Sequence, residues 1–179
     1  MPDTSSGGRF SGQVVVITGS ATGIGRATAI RFASEGAAVA CLDIEQEENE
    51  ATAADASALG AQTIALACDV RSHTEQEAAI VAVVERWGRI DVLVACAGVY
   101  VGGPLPGISL ERWDDLVAVN LTGVLVSNSL VSPIMIEQGG GAIVNISSMA
   151  GKTSWPNSAE YSATKSGVIG VTRLAAMEL

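Results

Sequence analysis

The sequence predicts an α/β fold: a doubly wound parallel sheet of strand order 3-2-1-4-5 with helices on both faces and the later strands of such a sheet absent from the chain. Three observations predict it. Short apolar runs rich in Val, Ile and Ala alternate with longer stretches of helical pattern, as in βαβ units whose strands are buried on both faces. Three of those stretches are followed by glycines, Gly36, Gly60 and Gly88, which take the left-handed cap geometry at least cost. The first apolar run leads through a glycine-rich turn straight into a helix, the usual opening of a dinucleotide fold.

The strands are expected at Val14–Thr18, Ala38–Leu42, Thr63–Ala67, Val92–Ala95 and Ala142–Ile146. Between them, helices are expected at about Gly23–Glu35, Glu45–Leu59, Thr74–Trp87, Leu110–Glu137 and Ala159–Leu179. With no linker, internal repeat or low-complexity tract beyond the first ten residues, the 179 residues read as one domain. A chain ending straight after a helix, without a sixth strand, reads as C-terminally incomplete.

Composition narrows the function. A net charge of -9 with no Lys or Arg cluster excludes the basic footprint that nucleic acid or an anionic membrane surface requires. No apolar run is expected to approach the roughly 18 residues of a membrane span, and the polar start Met1–Gly8 lacks a signal-peptide core, so the expected location is the cytoplasm. Cys41, Cys68 and Cys96 lie in or beside apolar runs without metal-ligand spacing, and His73 is the sole histidine. They read as reduced, buried thiols, with no metal site expected.

The turn Thr18-Gly19-Ser20-Ala21-Thr22-Gly23-Ile24-Gly25 lets a pyrophosphate approach the backbone at a helix N-terminus, where free N–H groups and the helix dipole favour an anion. On its own such a turn is also an ordinary strand-to-helix loop. Asp43, at the end of the second strand, stands where a carboxylate meets the adenosine ribose hydroxyls. It would repel a 2′-phosphate, and Ile44-Glu45-Gln46-Glu47-Glu48 brings no compensating cation, which favours NAD over NADP. The competing role for Asp43 is capping of the next helix.

Tyr161 and Lys165, four positions apart, project from one helix face. A phenol beside an ammonium is drawn toward its phenolate and toward the working range of a general base. In isolation the pair equally describes an amphipathic face. In Ser147-Ser148 either hydroxyl could simply satisfy a loop, and Asn120, inside the apolar run Leu116–Val126, is an amide that must find partners if buried.

Taken together, Gly19-x-x-x-Gly23-x-Gly25, Asp69-Val70, Asn120, Ser148 and Tyr161-Ser-Ala-Thr-Lys165 resemble, in order and over nearly the whole chain, the short-chain dehydrogenase/reductase family, in its compact branch. The resemblance implies hydride transfer between NAD(H) and a secondary alcohol or ketone, on a small-molecule substrate. It implies a catalytic set of Asn120, Ser148, Tyr161 and Lys165, with Lys165 also on the nicotinamide ribose, Ser148 on the reacting oxygen and Asn120 anchoring a water that leads to the lysine. Ser148 is chosen over Ser147 because its separation of 13 from Tyr161 matches the family. The cofactor contacts implied are Gly19, Ser20, Thr22, Gly23, Ile24, Gly25, Asp43, Asp69, Val70, Cys96, Ala97 and Gly98, together with Tyr161 and Lys165.

Where the family commonly has Asn-Asn-Ala-Gly, this chain has Ala95-Cys96-Ala97-Gly98, which implies altered bracing of the sheet with catalysis retained. Family members usually associate through the last two long helices, and small residues at Ala163, Gly167 and Gly170 would admit a second helix, so a homodimer or homotetramer is expected. Specificity is assigned partly to the segments Tyr100–Gly107 and Lys152–Asn157, with Trp155 either a pocket wall or a packed surface aromatic. The competing functions are an NAD-binding sensor or scaffold, which needs no tuned phenol, and a nucleotide-sugar epimerase or dehydratase relative, against which the glycine spacing argues.

Overall fold

A computed structural model describes residues 8–153 and 155–179. Of the polar start only Gly8 falls within it, and Ser154 of the Lys152–Asn157 segment lies outside the described residues.

The elements run β1 (Val14–Thr18), α1 (Gly23–Ser34), β2 (Ala38–Asp43), α2 (Gln46–Ala58), β3 (Thr63–Ala67), α3 (His73–Trp87), β4 (Val92–Ala95), α4 (Leu110–Val117), α5 (Gly123–Glu137), β5 (Ala142–Asn145) and α6 (Ala159–Glu178). All strand pairs are parallel and the order is β3-β2-β1-β4-β5, as the sequence predicts. Side chains alternate across each strand, so β1 feeds two cores. Val14 and Val16 join Ala79, Ile80 and Val83 of α3 and Val131 and Met135 of α5, whereas Val15 and Ile17 join Ala29 and Ala33 of α1 and Ala53 and Ala56 of α2. Burial on both sides is why β1, β2 and β4 read as continuous apolar runs.

Apart from one-residue shifts at helix ends, four features differ from expectation. β2 extends to Asp43 and β5 closes at Asn145, whose amide pairs with Asn128 (2.8 Å) and donates to Thr172 Oγ1 (3.1 Å). A short 3₁₀ turn, Met149–Gly151, was not expected. The stretch 110–137 is not one uniform helix, because Ala118–Thr122 forms a π turn between α4 and α5. Together they make a 28-residue helical segment whose most apolar 18-residue window has a mean hydropathy of 1.5, long and apolar enough by composition to cross a bilayer, which corrects the expectation that no run approaches that length. In this fold its buried face carries Leu116, Asn120, Val124, Ser127, Asn128, Val131 and Met135, packed against β4, α3 and α6.

Of the three small residues on α6, Gly167 faces the chain's own π turn: a Cβ there would meet Leu121 Cδ1 at 2.8 Å. The close approach that the sequence suggested for a second subunit is made at this position within the chain, while Gly170 faces open space. Cys41 and Cys68 are buried free thiols, each pushed up to about 11, first by desolvation. Cys96 is half-buried and is also shifted upward by desolvation.

Candidate functional site

The strand order reverses between β1 and β4, and a cleft of about 1040 Å³ opens outside the C-terminal ends of the strands, where ligands enter open α/β sheets. Its lining contains every residue named from the sequence as catalytic or cofactor-binding except Ser20 and Asn120.

At one end lies the glycine turn. Gly19 adopts a φ of 71°, and a Cβ on it would stand 2.6 Å from Ala97 Cα, so the loops after β1 and β4 touch backbone to backbone. A Cβ on Gly25 would overlap the Gly19 carbonyl oxygen, so the first turn of α1 packs directly on the loop. Thr22, at the α1 N-cap, makes no capping hydrogen bond, and no acidic residue occupies the first turn. Free helix N–H groups, a dipole and the glycines at positions 19, 23 and 25 together fit a pyrophosphate. Ser20 is fully buried beneath this loop, its hydroxyl donating to Leu42 O (3.2 Å) and Asn49 Oδ1 (2.7 Å). It braces the cradle from below instead of lining it.

Asp43 lines the cleft and accepts from Ala21 N (2.9 Å) through Oδ2 and from Glu45 N (3.0 Å) through Oδ1. It therefore ties the glycine loop to the entrance of α2, and each oxygen keeps a lone pair for a ligand hydroxyl. Asp69 and Val70 follow β3 in the same wall. A cation the sequence reading missed, Arg71, lies beside them, but Asp69 forks its guanidinium (Nη2–Oδ2 2.7 Å). That pairing, first through the hydrogen bonds from Arg71, holds the Asp69 carboxyl below its ordinary range.

The altered Ala95-Cys96-Ala97-Gly98 segment is braced by other groups. Thr18 Oγ1 accepts from Cys96 N (3.1 Å) and Ala97 N (3.2 Å). Asn120, with no exposed surface, accepts from Val99 N (2.8 Å), donates to Val99 O (2.9 Å) and reaches Thr164 Oγ1 (3.4 Å). Its side-chain amide thus clips the β4 loop to α6, and the π turn, which adds a residue to the helical repeat, is what aims it there.

At the other end, Lys165 is 4% exposed; its Nζ donates to Ile146 O (2.9 Å) and lies 5.8 Å from the Tyr161 ring centroid. Burial lowers its affinity for the proton, with the nearby Cys96 acting in the opposite direction. Tyr161 is half-buried, and Tyr100 packs edge-on against it, 5.0 Å between centroids at 87°. The two serines separate by role: Ser147 Oγ donates to Lys165 O (2.7 Å), whereas Ser148 Oγ only accepts from Ala150 N (3.1 Å) and keeps its proton for the cleft. Arg112, also unanticipated, lies against Gly103 and pairs with the buried Glu160 (2.6 Å), tying the start of α4 to the start of α6 beside Tyr161. Trp155 is 58% exposed and lines a separate shallow pocket with Leu105 and Pro156, outside the main cleft.

With this geometry in place, known proteins give it a setting. A family profile described as short chain dehydrogenase matches residues 13–179. The chain is 40% identical over 170 residues to D-threitol dehydrogenase of Mycolicibacterium smegmatis, covering 95% of this chain and 65% of that protein. It is 40% identical over 171 residues to a 3-oxoacyl-(acyl-carrier-protein) reductase of Thermotoga maritima, covering 96% and 70%. Among solved structures, an NAD⁺-bound xylitol dehydrogenase superposes with a TM-score of 0.92 at 36% identity, covering 95% and 66%. The chain thus spans about two thirds of the length of the relatives it matches.

Proposed function

We propose a function from one premise: the chain belongs to the short-chain dehydrogenase family. The reading is an NAD-dependent oxidoreductase, the whole chain forming one catalytic domain that moves a hydride between NAD(H) and a secondary alcohol or ketone. The observation that carries it is the meeting, in one cleft, of an uncapped glycine-lined helix N-terminus at one end and Tyr161 with Lys165 at the other. The nicotinamide, when bound, supplies the hydride acceptor. Tyr161 Oη takes the proton that the alcohol loses, Ser148 Oγ hydrogen-bonds the reacting oxygen, and Lys165 favours the ionised phenol and holds the ribose. A screen of secondary alcohols with NAD, and of ketones with NADH, tests it. Cofactor binding without turnover of any of them would instead identify a binding module.

NAD preference rests on Asp43, with Arg71 engaged by Asp69. Asp43→Ser is expected to weaken NAD by about tenfold, the scale of a lost charged hydrogen bond, and to narrow the gap to NADP as repulsion of the 2′-phosphate disappears. The check is kcat/KM with both cofactors; equal values in the unaltered protein sink the preference.

The same reading carries a homodimer or homotetramer in the cytoplasm. The exposed Leu110 and Leu125 of the α4–α5 segment and Leu174 and Met177 of α6 support assembly through these helices. Light scattering over a concentration series should give a mass of two or four chains; a constant monomeric mass overturns it.

A further inference from the structure

The proton chemistry and the cofactor cradle make no use of Gln76. It projects from the first turns of α3 and is 2% exposed, on the helix that carries the core residues Ala79, Ile80 and Val83. A carboxamide at such depth carries a desolvation cost that an aliphatic side chain of similar size would not. All of its polar atoms are engaged. Nε2 donates to Val70 O (2.6 Å) and Gly123 O (3.3 Å), and Oε1 faces Ser127 Oγ at 2.6 Å. Two carbonyl acceptors on one side fix the orientation of the amide.

The bond to Val70 gives this network its meaning. The peptide between Val70 and Arg71 is held at both ends, its C=O by Gln76 and its N–H by Asp69 Oδ1 (2.9 Å). Val70 is buried, lines the cleft, and has an N–H that makes no hydrogen bond among the described residues. An unengaged donor in a cleft wall is available to a ligand acceptor. Cys68 N donates to Asp43 O (2.9 Å), which puts the segment leading to Val70 beside the residue assigned to the adenosine ribose. The ring nitrogens of an adenine base supply acceptors of the kind this donor requires. Gly123 adds the opposing wall: a Cβ on it would come within 3.0 Å of Val70 Cβ, so the loop after β3 seats directly on the entry to α5.

We propose that Gln76 is a positioning residue for adenine recognition: by holding the Val70 carbonyl it fixes Val70 in the cleft wall, so that the Val70 N–H, which belongs to the preceding peptide, stays presented to the base of a bound dinucleotide. This rests on the cofactor reading above. Gln76 acts through Val70 and touches no ligand itself.

The test is calorimetric titration with ADP-ribose and with 5′-AMP, at a temperature below the melting transition of every variant. Gln76→Leu removes both donors at similar volume and is expected to weaken both ligands about tenfold, the scale of one buried hydrogen bond left unmade. Gln76→Glu keeps the shape and the acceptor toward Ser127 but turns a second acceptor on two carbonyls, and is expected to bind at least as weakly as the leucine variant. Ser127→Ala, a smaller change that only frees the amide to reorient, is expected to cost about threefold. In turnover, Gln76→Leu should raise KM for NAD while kcat at saturating NAD stays within about twofold. Unchanged ADP-ribose affinity in folded Gln76→Leu and Ser127→Ala proteins, or a loss confined to kcat, overturns the positioning role. Absence of ADP-ribose binding in the unaltered protein overturns the cofactor reading itself, and the two failures are thereby told apart.

Discussion

A Tyr161→Phe variant is expected to lose at least about 100-fold in kcat while its affinity for NADH stays within about twofold of the parent, the pattern left by removal of a general acid/base from a binding site that is otherwise intact. In the proposed reaction the alcohol hydroxyl would lose a proton as its hydride leaves, and a group within hydrogen-bond reach must accept that proton. Among the residues of this end of the cleft, Ser148 has an ordinary hydroxyl and Lys165 is an ammonium that already donates to Ile146 O (2.9 Å). The phenol is the group that can exist as an anion beside that ammonium. Phenylalanine keeps the ring, and with it the edge-on packing against Tyr100 at 5.0 Å and the contact beneath Lys165, so the fold has little reason to respond. Stopped-flow turnover, NADH fluorescence titration and a thermal melt on the same sample separate these effects. Near-normal turnover with an unchanged melt would refute the mechanism and leave the cofactor cleft standing.

The central strands β1, β2 and β4 were legible because they are buried on both faces, which writes a run of Val, Ile and Ala into the chain that no helix of this length would need. The glycine turn was legible because its residues answer to local geometry: Gly19 to a positive φ, Gly25 to contact with the loop next to it. What escaped depends on partners distant in sequence. Ser20 sits in the right motif, yet its hydroxyl belongs to Asn49, 29 positions away. The π turn at Asn120 follows from an amide that must reach Val99, 21 positions back, and nothing in the apolar run around it distinguishes it from an ordinary helix. Arg112 and Glu160, 48 apart, form their pair only once α4 and α6 are packed. The segment Tyr100–Gly107 has no periodic pattern at all, so the aromatic contact of Tyr100 with Tyr161 could be found only in three dimensions.

Lys165→Ala is expected to produce a different signature, with turnover down by at least about 100-fold, affinity for NADH also reduced, and the pH at which alcohol oxidation reaches half its plateau moved upward. The sign follows from the neighbourhood. A positive charge beside a phenol stabilises the phenolate over the neutral form, so deleting the charge means that a higher pH is needed to reach the same ionised fraction. Burial works against the lysine itself, lowering its hold on the proton, so the site keeps a cation where the surroundings disfavour one. Among the described residues its ammonium makes one hydrogen bond, to Ile146 O, which leaves two N–H donors for the phenolate and for the ribose of the proposed cofactor. That division is why two properties should fall together here when only one falls in the phenylalanine variant. Lys165→Arg gives no rescue on this account: Nζ lies 3.4 Å from where a Cβ on Gly98 would stand, in a slot 4% exposed, and a planar guanidinium needs more room. The decisive measurement is the pH profile of kcat/KM for parent and Lys165→Ala, with NADH binding titrated separately. A profile that falls in height without moving along the pH axis would leave Lys165 as a cofactor-binding residue and remove it from the tuning of the proton acceptor.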